Sequence, residues 1–231
     1  MPRFPSRQFS FALLACSALW MTGCAGPRGK INWAFWEKPP TRIPGLKTPQ
    51  ERIEELALIT DQAAQQTSAE QARLADELAH EIQREQDVQV RRAIIRTLAV
   101  IPNERAAAVI HAGLEDPDES VRIACCEAWG KRGGSLAIEE LSTALETQSS
   151  VDVRIAAAKA LGELNDPAAV QPLAQLLVEN DPAVQRRAME SLKNASGKDY
   201  GYDVQAWRQY AQGQPVEQKS VGIAELWKRW F

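Results

Sequence analysis

Histidine is nearly absent from this chain. Two residues, His80 and His111, occur among 231, too few for a His-rich metal centre. No Gly-rich phosphate loop, Ser–His–Asp set or metal-spaced cysteine cluster accompanies them, so no cofactor, metal or catalytic residue is expected. Cysteine numbers four. Cys125 and Cys126 are adjacent, and a vicinal bridge inside a helix is strained, so they read as two small buried thiols. An excess of positive charge is also missing. The formal net charge is −3, and about −5 once Arg3 and Arg7 of the first segment are set aside, which lacks the basic footprint of a nucleic-acid binder. The longest apolar run, Phe9 to Met21, is too short for a typical spanning helix. Aromatics make up 6% of the chain, yet seven residues are Trp, and most lie toward the two ends.

What is present is a core-forming composition, 45% hydrophobic and 25% charged, organised by one column. Val90, Val121, Val153 and Val184 stand 31, 32 and 31 residues apart and open the stretches VRRAIIRTLA, VRIACCEAWG, VRIAAAKALG and VQRRAMESLK. A period in the low thirties means a solenoid whose repeats bury their apolar faces against their neighbours. Counted from Val90, Val121 and Val153, apolar or small residues fall at positions 0, 3, 4, 7 and 8, one stripe of an amphipathic helix. Small residues at 3, 4 and 7 permit close helix packing, and a large one at 8 (Leu98, Trp129, Leu161, Leu192) fills the remaining space. Second helices carry matching stripes: Ala107, Ile110 and Leu114; Ile138, Leu141 and Leu145; Val170, Leu173, Leu176 and Leu177. Asp116-Pro117, Asp166-Pro167 and Asp181-Pro182 each offer an N-cap followed by proline, and Gly133-Gly134 offers a turn. An earlier helix is expected from about Pro49 to Ala64, capped by Thr48 with Glu51 closing a capping box. The next is expected to be capped by Ser68, with Leu74, Leu78 and Ile82 on its stripe.

The ends read differently. Arg3 and Arg7, then the apolar Phe9–Met21, then Met21-Thr22-Gly23-Cys24 resemble the signal peptide and lipobox of bacterial lipoproteins, with Met21 where leucine is usual. The resemblance implies that Cys24 becomes the first mature residue and carries a diacylglycerol thioether and an N-acyl chain such as palmitate. Two or more chains make a firm anchor, at about 0.8 kcal/mol per buried CH₂. Residues 24–48 form a Pro/Gly-rich tether. In it, Trp33, Phe35 and Trp36 suit either the headgroup level of a membrane or a strand folded back on the solenoid. At the other end Gly197 marks a helix exit. Asp203 is placed to cap a short helix bearing Val204, Trp207 and Tyr210, read as a plug on the last repeat or as a carbohydrate or peptide platform. VGIAELWKRWF puts Ile223, Leu226, Trp227 and Trp230 on one face, suited to the solenoid, a membrane or a partner.

The valine stretches resemble HEAT-like repeats, especially the short type of phycobilin lyases. Asp118, Val121, Arg122, Ala128, Trp129 and Gly130 follow that pattern, as do Asp152, Val153, Arg154, Ala160, Leu161 and Gly162 with Ala169, Val170, Leu173, Leu176 and Leu177. The resemblance implies an all-α, α–α superhelix of about four to five helix pairs over residues 49–197, with an aromatic capping segment over 198–231. It implies that Arg91, Arg122 and Arg154 pair with the neighbouring Asp between repeats, and that second helices line the concave face. Their outward residues Arg105, His111, Glu139, Glu140, Gln171 and Gln175 are then candidates for binding a protein, as are Trp227 and Trp230. HEAT-like deoxyhypusine hydroxylases hold iron with several His-Glu pairs, and this chain has only His80-Glu81. The function expected is a non-enzymatic scaffold, membrane-bound through its lipid anchor and facing the periplasm or exterior. Its expected partner is an envelope protein or peptide, not nucleic acid. The alternative is a lyase-like enzyme or enzyme accessory.

Overall fold

The computed structural model describes residues 47–216, and among these every regular element is helical. Helix α1 (Pro49–Ala63) starts where the sequence places it. Thr48 accepts from the Glu51 amide while Glu51 closes the box on the Thr48 N–H, and Pro49 occupies the first turn. Helix α2 (Ser68–Ile82) begins one residue earlier than expected. Thr67, not Ser68, is the cap, because Glu70 lies three residues after Thr67 and completes its capping box. Helices α3 (Val88–Leu98), α4 (Glu104–Gly113), α5 (Glu119–Arg132), α6 (Gly134–Thr147) and α7 (Val151–Glu163) follow. Asp87, Asn103, Asp118 and Ser150 cap α3, α4, α5 and α7.

The next second helix is not continuous. It runs as a 3₁₀ turn (Pro167–Ala169), helix α8 (Val170–Gln175) and another 3₁₀ turn (Leu176–Val178). Helix α9 (Pro182–Ser196) ends on Gly197, whose φ of 68° is the left-handed C-cap conformation that glycine adopts without strain. Helix α10 (Val204–Ala211) is capped by Asp203. Asp166 and Asp181 act as the expected caps ahead of proline. Asp116 does not. It lies too far upstream of α5, and its carboxylate instead takes the Arg91 guanidinium and the Asp118 N–H.

The helices stack in two layers. Helices α1, α3, α5, α7 and α9 form one, each touching the next along much of its length. Helices α2, α4, α6, α8 and α10 form the other, and successive members meet at few points. One core runs through the array. The valine column, the residues at positions 4 and 7 and the large residue at position 8 are buried in every clear repeat. Position 5 is buried as well, at Ile95, Cys126, Ala158 and Met189. An interior helix of the tight layer is flanked on two sides and backed on a third, so its apolar stripe is wider than a helix with one covered face requires.

Small side chains set the spacing of that layer. A β-carbon on Gly130 would stand 3.0 Å from Ala160 Cβ. The aromatic closer packs inward. Trp207 is fully buried, donates from Nε1 to the Gly201 carbonyl at 2.9 Å, and meets Tyr200 edge-on with centroids 5.0 Å apart. Helix α10 lies against both α8 and α9 and so occupies the place of a fifth second helix. Its burial fits the plug. Of its aromatics only Tyr202 stands well exposed, which does not make a stacking platform for a sugar.

Candidate protein-binding surface

The polar residues singled out on the second helices are largely occupied by the fold. Arg105 on α4 reaches Asp76 on α2, with Nε 3.2 Å from the carboxylate. His111, also on α4, contacts Glu140 on α6 through Nδ1 at 2.7 Å, and the Glu140 side chain is only 15% exposed. Gln171 on α8 donates to the Ala211 carbonyl at the end of α10 at 2.7 Å. All three contacts join one second helix to the next. In a layer whose helices scarcely pack, these polar links span the gaps that apolar side chains leave. Exposed pairs of this kind contribute roughly 0–1 kcal/mol each, so they set alignment more than stability.

The acidic pair therefore separates. Glu140 belongs to a bridge between repeats, while the Glu139 carboxylate faces solvent with no partner among the described residues. Gln175 is likewise exposed and unbonded. Cys24, Trp227 and Trp230, together with Trp33, Phe35 and Trp36, lie outside the described residues. The Asp76 and Glu140 bridges were signalled by a spacing not used in reading the sequence. In each, the partners stand 29 residues apart on consecutive second helices.

The two layers differ in how closely they pack. The valine-bearing first helices lie close together, and the second helices with their candidate residues form the more open layer. The physical reason is the small-residue column of the first helices, which lets their backbones approach.

The arginine column meets the expected aspartate in one repeat, a glutamate in another and, among the described residues, no acid in the third. Arg91 is held by Asp116 through two bonds of 2.9 Å, and this carboxylate raises the arginine's pKa. Arg154 meets Glu179 at 2.9 Å. Both acids follow their arginine by 25 residues. Arg122 has Thr147 at that spacing and donates instead to the carbonyls of Asp116 and Pro117. At the amino end, Arg52 joins Glu81 and Glu55. Glu81 is thus engaged by α1, and His80 beside it is exposed. No group of three His, Cys, Asp or Glu placed to hold a metal ion occurs among the described residues, and none of their helices is long and apolar enough to cross a membrane.

The HEAT repeats family matches residues 75–151 and 138–204, together more than half of the chain. The chain belongs to the HEAT repeat family. Its two matched spans overlap through α6, as expected where each repeat shares its packing surface with the next. No curated protein matches the chain significantly. HEAT arrays in general mediate protein–protein contacts, so the coarse function is that of a protein-interaction scaffold.

Proposed function

We propose that the protein is a lipid-anchored, non-enzymatic scaffold that presents its HEAT array to a protein partner in the bacterial cell envelope. The reading is carried by a folded array whose repeats are closed at one end by α10, together with a sequence upstream that ends in the lipobox-like Met21-Thr22-Gly23-Cys24. A solenoid joined to a lipidated cysteine through a Pro/Gly-rich tether is held at the membrane while its surfaces stay accessible. The partner surface on the second-helix side centres on Glu139 and Gln175, the two of the six candidate residues there whose side chains the array does not use. The alternative surface is the Trp227–Trp230 stripe.

Two measurements test this reading. Cys24→Ser abolishes lipid labelling and releases the chain from membranes or leaves it unprocessed; labelling that persists refutes the anchor. Glu139→Lys lowers recovery of cross-linked envelope partners by the full-length protein. If recovery is unchanged by Glu139→Lys but lost on deletion of residues 220–231, the C-terminal stripe is the binding surface and the second-helix side is not.

A further inference from the structure

The turn between α5 and α6 encloses a cleft of about 320 Å³, lined by Ala99, Val100, Pro102, Trp129, Lys131, Arg132, Gly133 and Leu136. Its polar side chains are all donors. Residues 47–216 carry 18 lysines and arginines against 27 acids, a net charge of −9, yet this cleft has two cations and no carboxylate among its lining residues. Neither cation has an ion-pair partner among the described residues. Arg132 lies over the Trp129 ring at 5.8 Å and donates to the carbonyls of Leu98, Ile101 and Asn103. Burial lowers its pKa, with no neighbouring charge opposing the shift.

The open end of a helix lies at the same place. Trp129, which lines the cleft, is 1% exposed, and its indole N–H is itself buried without an acceptor. An unmet buried donor typically costs about 1–3 kcal/mol. Helix α6 starts on Gly133 without a side-chain cap, whereas every other described helix of eight or more residues has one. Its first N–H groups, at the positive end of the helix dipole, are left open. Gly134, at φ 80°, has nothing within 4 Å of where a β-carbon would stand, so the backbone is open to approach. The remaining walls are apolar, and Leu136 is 48% exposed beside the cations.

We propose that this cleft binds a carboxylate carried on an aliphatic body, supplied by the C-terminus of a partner polypeptide or by an acidic side chain beside an aliphatic residue. A carboxylate there pairs with Lys131 and with the uncapped first N–H groups of α6, and charge-assisted bonds of this type are stronger than neutral ones. The apolar walls favour this class over a bare inorganic anion, which would leave Leu136, Val100 and Pro102 uncovered. The inference rests on reading the array as a protein-binding scaffold and gives that reading a defined point of contact.

The test is titration of the ¹⁵N-labelled full-length chain with three N-acetylated peptides. Ala-Ala-Ala-Leu-Leu is used with a free carboxyl and with a terminal amide, and Ala-Ala-Glu-Leu-Ala is used as the amide. The readout is the Trp129 indole N–H resonance, assigned by its loss in Trp129→Phe. A shift with the free-carboxyl peptide but not its amide identifies a C-terminal carboxylate; a shift with the glutamate peptide identifies an acidic side chain. In either case Lys131→Gln weakens the response about fivefold, as expected for a surface ion pair, and Leu136→Ser weakens it while leaving the denaturation midpoint unchanged. A response equal for free-carboxyl and amidated forms of Ala-Ala-Ala-Leu-Leu, or none with any peptide at millimolar concentration, overturns the proposal. The Glu139→Lys experiment perturbs the second-helix surface, whereas the peptide titration reads the cleft alone, so the two ideas fail separately.

Discussion

Gly162 and Ser191 meet where α7 packs on α9, and a β-carbon on Gly162 would lie 2.7 Å from both the Cα and the Cβ of Ser191. No rotamer change relieves contact with a backbone atom. Gly162→Ala therefore forces the two helices apart and is expected to cost about 1–3 kcal/mol, as overpacking of a close interface does. The measurement is the denaturant midpoint. Ser191→Gly in the same chain restores part of the loss. Equal midpoints for wild type and Gly162→Ala would show that the layer is looser than described.

Trp129 and Trp207 are the two largest fully buried side chains. Trp129 fills the large-residue column of its repeat, and Trp207 closes the last one. Trp129→Ala and Trp207→Ala are each expected to destabilise the array by about 3–5 kcal/mol. Hydrogen exchange separates the two effects. Protection in the Trp207 variant falls first in α8, α9 and α10, whereas in the Trp129 variant it falls around α3, α5 and α6. Uniform loss in both variants would mean that the array unfolds as one unit.

Arg122 lacks the acid that Arg91 and Arg154 have at the same spacing. Thr147→Glu places a carboxylate there and is expected to raise stability by about 0.5 kcal/mol, within the range of partly exposed pairs. The gain falls as salt rises. A double-mutant cycle with Arg122→Ala isolates the pair, and a coupling energy of zero would show that the guanidinium stays on the carbonyls of Asp116 and Pro117.

Cys125 and Cys126 are free and buried. Desolvation raises both thiols, Cys126 from the usual 9.0 to about 12. In a chain with Cys16 and Cys24 replaced by serine, a thiol reagent at pH 8 should label neither residue until the array unfolds, since the thiolate is the nucleophile. The sign of the pH dependence follows. Above pH 9 an unfolded thiol loses its proton while the folded one keeps it, so stability falls as pH rises from about 9 to 12, by up to about 1.4 kcal/mol per pH unit per thiol. Replacing both cysteines by alanine should flatten that limb. An unchanged slope would assign it to other groups.

By itself the sequence determined the repeat, the helix starts and the core. These rest on local chemistry and periodicity. Thr48, Asp166, Asp181 and Asp203 cap because their side chains reach amides two or three residues on, and the valine columns are buried because stacking hides one face of each helix. Where neighbours in sequence competed, local reading slipped by a residue or two, as at Ser68 beside Thr67 and Asp116 beside Asp118. Contacts between repeats were legible only in part. Arg91–Asp116 followed from the column, but the bonds linking Arg105, His111 and Gln171 to other helices depend on how far apart the second helices stand. That distance is set by the small residues of the opposite layer, from Gly130–Ala160 to Gly162–Ser191. It decides which polar residues bridge repeats, and that Lys131, Arg132, Trp129 and the open end of α6 come together in one cleft. Only the tertiary structure brings Ala99, Val100 and Pro102 against residues about thirty positions later.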